Sequence, residues 1–305
     1  LAAYTSDTIA GDVLLGIPLT EVDTLSLSLG LDKNDITTVD GSTPTSLINN
    51  LVAELGDRER STFACNGPDT DTDGTGPDTD TDTTTGICTG PFRQWTINTW
   101  SLQAGWQRDS RNKYFAPTRG TYQRIGAEVA LPGSDLEYYK VAYEFGRYFP
   151  LWGEYALLTK AELGYGDGYG NTSTLPFYQN FYAGGVRSVR GFEDNTLGPT
   201  ETASTASSYR QPLGGAFKTV GGLELIIPTP MTKGDSDTAQ LSAFVDVGNV
   251  FRNFDAFDSG ELRASAGLSL KWQAPIGPII INLVRPIKKQ DGDRTESIQF
   301  SFGQQ

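Results

Sequence analysis

The residues that could do chemistry in this 305-residue sequence are its acids, its two cysteines and one arginine-centred loop, because histidine is absent altogether. Without histidine there are no Ser-His or Cys-His nucleophile pairs, no usual zinc sites and no His-dependent hydrolysis. The 37 Asp and Glu residues leave glycoside-type carboxylate pairs as the remaining catalytic option. Abundance marks no pocket, so the reading is of a protein that is not an enzyme and carries no cofactor. Between Asp69 and Asp82 acids alternate with threonine, and Asp69, Asp71, Asp73 and Gly74 match the start of a calcium loop whose twelfth position is Asp80. The repeat Asp78-Thr79-Asp80-Thr81-Asp82 weakens that match, since low-complexity Asp/Thr stretches more often stay solvated. Cys65 and Cys88 lie in the same polar stretch, where a disulfide would close a 24-residue segment in an oxidising compartment; two free thiols are the alternative. From Pro176 to Pro199 runs a long polar and aromatic stretch with Val189-Arg190-Gly191-Phe192 near its centre.

The elements that must hold such a loop are strands. The chain is 20% charged and 37% hydrophobic, and it has no apolar run near the roughly 18 residues of a spanning helix. That composition equally suits a soluble all-β protein, so periodicity decides. Leu25, Leu27, Leu29 and Leu31 alternate with Ser26, Ser28 and Gly30; Leu262 to Trp272 alternates in the same way, with Arg263, Ser265, Gly267, Ser269 and Lys271 on the other face. Eleven such segments are expected, near residues 9–19, 24–34, 98–109, 120–131, 137–150, 154–166, 215–228, 239–251, 261–274, 278–286 and 296–304. Long connections at 35–97 and 167–214 fall on one side by strand parity and short turns on the other, which makes the long-loop side extracellular. A soluble sandwich is the alternative, but lysines and glutamates recur on the inner face while aromatic residues sit outside near strand ends. The fold class expected is therefore all-β, a transmembrane antiparallel β-barrel. An odd count of about eleven strands is a part of a larger barrel, because an open sheet in lipid leaves edge groups unsatisfied at several kcal/mol each. The net charge of −13 makes nucleic acid a poor partner.

Several motifs carry a family resemblance. They are Val189-Arg190-Gly191-Phe192, Pro132-Gly133-Ser134-Asp135, Leu163-Gly164-Tyr165-Gly166-Asp167-Gly168, Phe244-Val245-Asp246-Val247-Gly248-Asn249-Val250, Pro275-Ile276-Gly277-Pro278 and Arg285-Pro286-Ile287-Lys288-Lys289. Together they resemble the BamA family, barrel proteins that fold other barrels into the bacterial outer membrane. The resemblance implies a sixteen-strand barrel of which strands six to sixteen are present, with the first five strands and the periplasmic POTRA domains absent. It implies that the 167–214 loop folds into the lumen, where Arg190 of the Val189-Arg190-Gly191-Phe192 motif meets Glu224 and Asp246 and is braced by Arg187, Gly191 and Phe192. Parity agrees, since Glu224 opposes Leu223 and Leu225, and Asp246 opposes Val245 and Val247. A guanidinium has five donors and can satisfy two carboxylates; its loss would leave the two acids facing each other. The resemblance makes Ile298, Phe300 and Phe302 part of a seam strand at which an incoming strand is templated. Its partners would be unfolded outer-membrane β-barrel proteins, accessory lipoproteins and outer-membrane lipids. A related transporter that exports a partner polypeptide is the alternative implied.

Overall fold

The computed structural model describes residues 4–39, 42–57, 92–202, 210–228, 239–275 and 277–303. Cys65, Cys88, Asp69, Asp71, Asp73 and Asp80, on which the disulfide and calcium expectations rest, lie outside the described residues. The alternating segments form one antiparallel sheet of eleven strands in chain order. These are β1 (Thr5–Pro18), β2 (Asp23–Val39), β3 (Phe92–Asp109), β4 (Gly120–Ala130), β5 (Tyr138–Pro150), β6 (Ala156–Gly168), β9 (Phe217–Ile227), β10 (Ala239–Phe251), β11 (Arg263–Ala274), β12 (Gly277–Lys288) and β13 (Ile298–Phe302). Between β6 and β9 the chain leaves the sheet and makes a short hairpin of β7 (Thr200–Thr202) and β8 (Arg210–Pro212).

The two faces of the sheet invert the polarity of a soluble protein. In β10 Phe244 and Asp246 are 3% and 0% exposed, whereas Val245 and Val247 between and beyond them are 47% and 39% exposed. Leu27, Leu29 and Leu31 on β2, Trp100 and Leu102 on β3, and Leu268, Leu270 and Trp272 on β11 continue this exposed apolar face. Serines, glutamine and acids are buried on the other side. An apolar belt spread over so many neighbouring strands is a surface for hydrocarbon, since water would oppose its exposure. No helix among the described residues is long and apolar enough to cross a membrane.

Two features depart from the sequence expectation. Strands β2 and β3 reach 17 and 18 residues, well past the expected 24–34 and 98–109. The added residues keep a period of two but reverse its polarity: Ile36, Trp95 and Ile97 point inward and are fully buried. They are apolar because a helix, α1 (Thr45–Leu55), covers them, placing Leu47 and Leu51 against Ile36, Trp95, Ile97, Leu136 and Phe177. Trp95 Nε1 donates to the carbonyl of Gly56 at 3.1 Å just past the helix end, and Gly56 there has a φ of 81°. Spacing of four between Leu47 and Leu51 suits a helical face, but the stretch lies inside what strand parity alone makes a connection.

Helix α1 is tied in turn to the long connection between β6 and β9. Asn50 Nδ2 donates to Thr174 Oγ1 at 3.2 Å, and the backbone N–H of Ser173 donates to Glu54 Oε1 at 3.1 Å. Leu51→Ala is expected to remove about 2–4 kcal/mol of local stability. Faster proteolytic cutting within residues 42–57, with the heat resistance of the barrel unchanged, is the readout; equal cutting rates contradict the packing described.

Candidate functional site

The described residues of the connection between β6 and β9, 169–202 and 210–216, lie against the inner face of the sheet and touch both of its halves. Phe177 packs with Ile36 and Trp95 of β2 and β3, while farther along the backbone N–H of Gly191 donates to Gln299 Oε1 on β13 at 2.9 Å. The sheet therefore curves around this connection. Inside the curve the connection builds its own small core: Ala183, Val189, Phe192 and Leu197 close on Val220 of β9 and Val250 of β10. Val189 and Phe192 are fully buried there. Gly191 between them has a φ of 86°, and a Cβ at that position would stand 2.6 Å from Val284 Cγ1, so only glycine permits this approach to β12.

Arg190 is 3% exposed and points at the two inward acids. Its Nε donates to Asp246 Oδ2 at 2.6 Å and its Nη2 to Asp246 Oδ1 at 3.0 Å, a bidentate pair. Its Nη1 donates to Glu224 Oε2 at 2.9 Å, and its backbone N–H also donates to Asp246 Oδ2 at 3.3 Å. The guanidinium carbon lies 3.4 Å from the centre of the Phe244 ring, which adds a cation–π contact in a dry setting. Burial works against the charge of Arg190; Glu224 and Asp246 outweigh it and hold its pKa above the ordinary guanidinium value.

Sheet register explains why these groups meet. Asp246 lies across from Gly222, and Glu224 lies across from Phe244. On its other side Gly222 pairs with Lys160 of β6. A Cβ on Gly222 would stand 2.5 Å from Lys160 Cε and 2.6 Å from Asp246 Oδ1, so the missing side chain is what lets Lys160 Nζ reach Asp246 Oδ1 at 3.0 Å. Lys271 Nζ is 3.4 Å from Glu224 Oε1, which also accepts from Ser242 Oγ at 2.6 Å. The sequence reading gives the acids one cation, Arg190; the sheet adds Lys160 and Lys271. Both lysines fall on the inner face by parity, but only the register shows which acids they face. Loss of Arg190 accordingly leaves Glu224 and Asp246 each with a lysine rather than facing each other alone.

The remaining sequence candidates sit elsewhere. Arg187 is exposed and lines a polar cavity of about 1160 Å³ beside the loop, together with Arg124, Glu144, Glu162 and Lys218. Ile298, Phe300 and Phe302 point outward from β13 at 69%, 63% and 49% exposure. Gln299, between Ile298 and Phe300, points inward to the loop and is a contact that sequence reasoning missed. Alternation marks it as inward, but nothing local in the sequence names its partner. The site holds a loop, with charged groups used as anchors.

The Omp85 superfamily domain matches residues 1–305, the whole of the chain. The chain belongs to the Omp85 superfamily. Within the superfamily, it is similar to outer membrane protein assembly factor BamA of Neisseria meningitidis, at 34% identity over 70% of this chain and 29% of that protein. The mouse sorting and assembly machinery component 50 homolog is 28% identical over 64% of this chain and 43% of that protein. Among solved structures, BamA from Haemophilus ducreyi lacking POTRA domains 1–3 superposes with a TM-score of 0.79 at 27% identity, covering 97% of this chain and 54% of that one. CdiB from Acinetobacter baumannii superposes at 0.53 with 11% identity, a likeness of fold alone. This Omp85 chain is an outer-membrane β-barrel protein and spans less than half the length of these curated relatives.

Proposed function

We propose that this chain is the barrel of a factor that folds and inserts other β-barrel proteins into the bacterial outer membrane. The observation that carries the reading is the similarity, over most of the sheet, to proteins named for assembly in two very different organisms. The anchored loop supports it, since a passive pore has no need of an arginine held by two buried acids. Strands six to sixteen of a sixteen-strand barrel correspond to the eleven described here, and the edge that carries α1 and the described part of the β6–β9 connection faces outside the cell. No reaction is assigned to the chain; its work is physical.

A strand entering hydrocarbon needs partners for its N–H and C=O groups, and an exposed strand edge supplies them. Strand β13 is the edge of the sheet and pairs with β12 over five positions, Ile279↔Phe302 to Leu283↔Ile298, although β12 itself runs from Gly277 to Lys288. So short an edge strand is held weakly and perturbs the adjacent lipid through mismatch. Unfolded outer-membrane proteins are the substrates, with accessory lipoproteins and lipids as partners. The exporting alternative shares such a loop, and what favours assembly over it is the closer likeness to BamA, at a TM-score of 0.79 against 0.53 for CdiB.

The test is photocrosslinking from position 300 on β13 and, as control, from the equally outward position 163 on β6, while full-length protein in membranes assembles an unfolded barrel substrate. Adducts from position 300 and none from 163 are expected. Equal yields at both positions contradict templating at the seam.

A further inference from the structure

Gln299 is 2% exposed and holds the backbone of the Arg190 loop from both sides. Its Oε1 accepts from the N–H of Gly191 at 2.9 Å, and its Nε2 donates to the carbonyl of Phe192 at 2.8 Å. A primary amide carries donor and acceptor in one plane, so here it serves the loop as a strand neighbour would. The contact is specific to Gln299. Asn282, its cross-strand neighbour on β12, is fully buried yet its side-chain amide has no hydrogen-bond partner among the described residues.

The backbone on either side of the clamp completes a small antiparallel pairing. Glu193 N–H donates to the carbonyl of Arg294 at 3.1 Å, Glu296 N–H donates to the carbonyl of Gly191 at 3.0 Å, and Phe192 bridges Thr295. The last contact of this stretch with β12 is Val284 N–H to the carbonyl of Ser297 at 2.8 Å. Residues 294–296 are thus paired with the loop at the point where β13 stops following β12. Arg190, one residue away from the clamp, is fixed to β9 and β10. Consecutive residues 190–193 therefore tie the acids of β9 and β10 to the final strand, across two intervening strands.

We infer that Gln299 is the positioning residue through which the anchored loop sets the conformation of the seam strand, so that the length of β13 free to exchange partners depends on the loop as well as on β12. This deepens the proposed function and rests on it only for the consequence in insertion; the clamp itself is a property of the barrel.

The experiment measures amide hydrogen exchange of full-length protein in lipid nanodiscs, for wild type, Gln299→Leu and Gln299→Glu. Gln299→Leu removes both bonds to the loop, together with the 3.3 Å bond from Gln299 Nε2 to Glu296 Oε2, and is expected to raise exchange about ten-fold in residues 294–302, with β4, β5 and β6 unchanged. Gln299→Glu keeps the acceptor for Gly191 but loses the donor to Phe192 and sets a carboxylate against that of Glu296, and a rise over the same residues is expected. It also decides the matter if Gln299→Leu fails to fold. Insertion of an unfolded barrel substrate is measured on the same proteins, and a changed rate that follows the exchange at 294–302 supports positioning. Wild-type exchange in both variants overturns the inference, as does a rise spread evenly over all strands. Absence of insertion by wild type removes the proposed function while leaving the exchange result to decide the clamp.

Discussion

Arg190→Ala is expected to free the loop from β9 and β10 and to lower the stability of the lumen-side packing by about 2–4 kcal/mol. Removing one partner of a buried ionic pair typically costs about 3–5 kcal/mol, because the opposite charge stays buried and unpaired. Here the upper part of that range is not reached. Lys160 remains 3.0 Å from Asp246, and Lys271 remains 3.4 Å from Glu224, so both acids keep a counter-charge. What is lost is three charge-assisted side-chain bonds and the contact with Phe244. Arg190→Lys is expected to restore less than half of the loss, since an ammonium cannot pair with Asp246 in a bidentate manner while also reaching Glu224. The readouts are the thermal midpoint and the labelling rate of a cysteine placed at position 188, beside Arg190. Unchanged labelling in Arg190→Ala contradicts the anchoring described.

Gly191→Ala is expected to be as damaging as the loss of Arg190, although it removes no polar group. The residue has a φ of 86°, in which an L side chain is strained by about 1–2 kcal/mol. The new Cβ would also stand 2.6 Å from Val284 Cγ1 on β12, an overlap that forces loop and strand apart and costs about 1–3 kcal/mol. Separation there also breaks the Gln299 clamp, because Gly191 supplies one of its two bonds. Val284→Ala in the Gly191→Ala background makes room for the methyl group and should recover the overlap component but not the backbone strain. A double variant as unstable as Gly191→Ala alone contradicts the steric account.

The contrast between what is legible in the sequence and what is not has physical causes. All eleven strands are legible, since a lipid-facing sheet must alternate apolar and polar residues, and β2 from Leu25 to Leu31 and β11 do so without interruption. The facing of Glu224 and Asp246 follows from the same alternation, and family resemblance supplies Arg190 as their partner. The ends of β2 and β3 escape because Ile36, Trp95 and Ile97 turn apolar on the inner face, where the barrel pattern calls for polar residues. Their cause, α1, lies beyond the strand in a stretch dominated by polar and acidic residues. Lys160 and Lys271 are visible as inward lysines, but their pairing with particular acids depends on Gly222 and on the register of β6, β9 and β10. Gln299 and Gly191 lie over a hundred positions apart, and no local pattern links them.

An insertion catalyst of the proposed kind needs its anchored loop for the work. The most direct measurement reconstitutes the full-length protein with its accessory lipoproteins in liposomes and follows the folding rate of an unfolded outer-membrane barrel, with wild type, with Arg190→Ala and with empty liposomes. The account predicts that wild type accelerates folding by at least about ten-fold, an effect of about 1.4 kcal/mol on the barrier, and that Arg190→Ala loses most of it. Folding no faster with wild type than with empty liposomes contradicts an insertion function for this barrel.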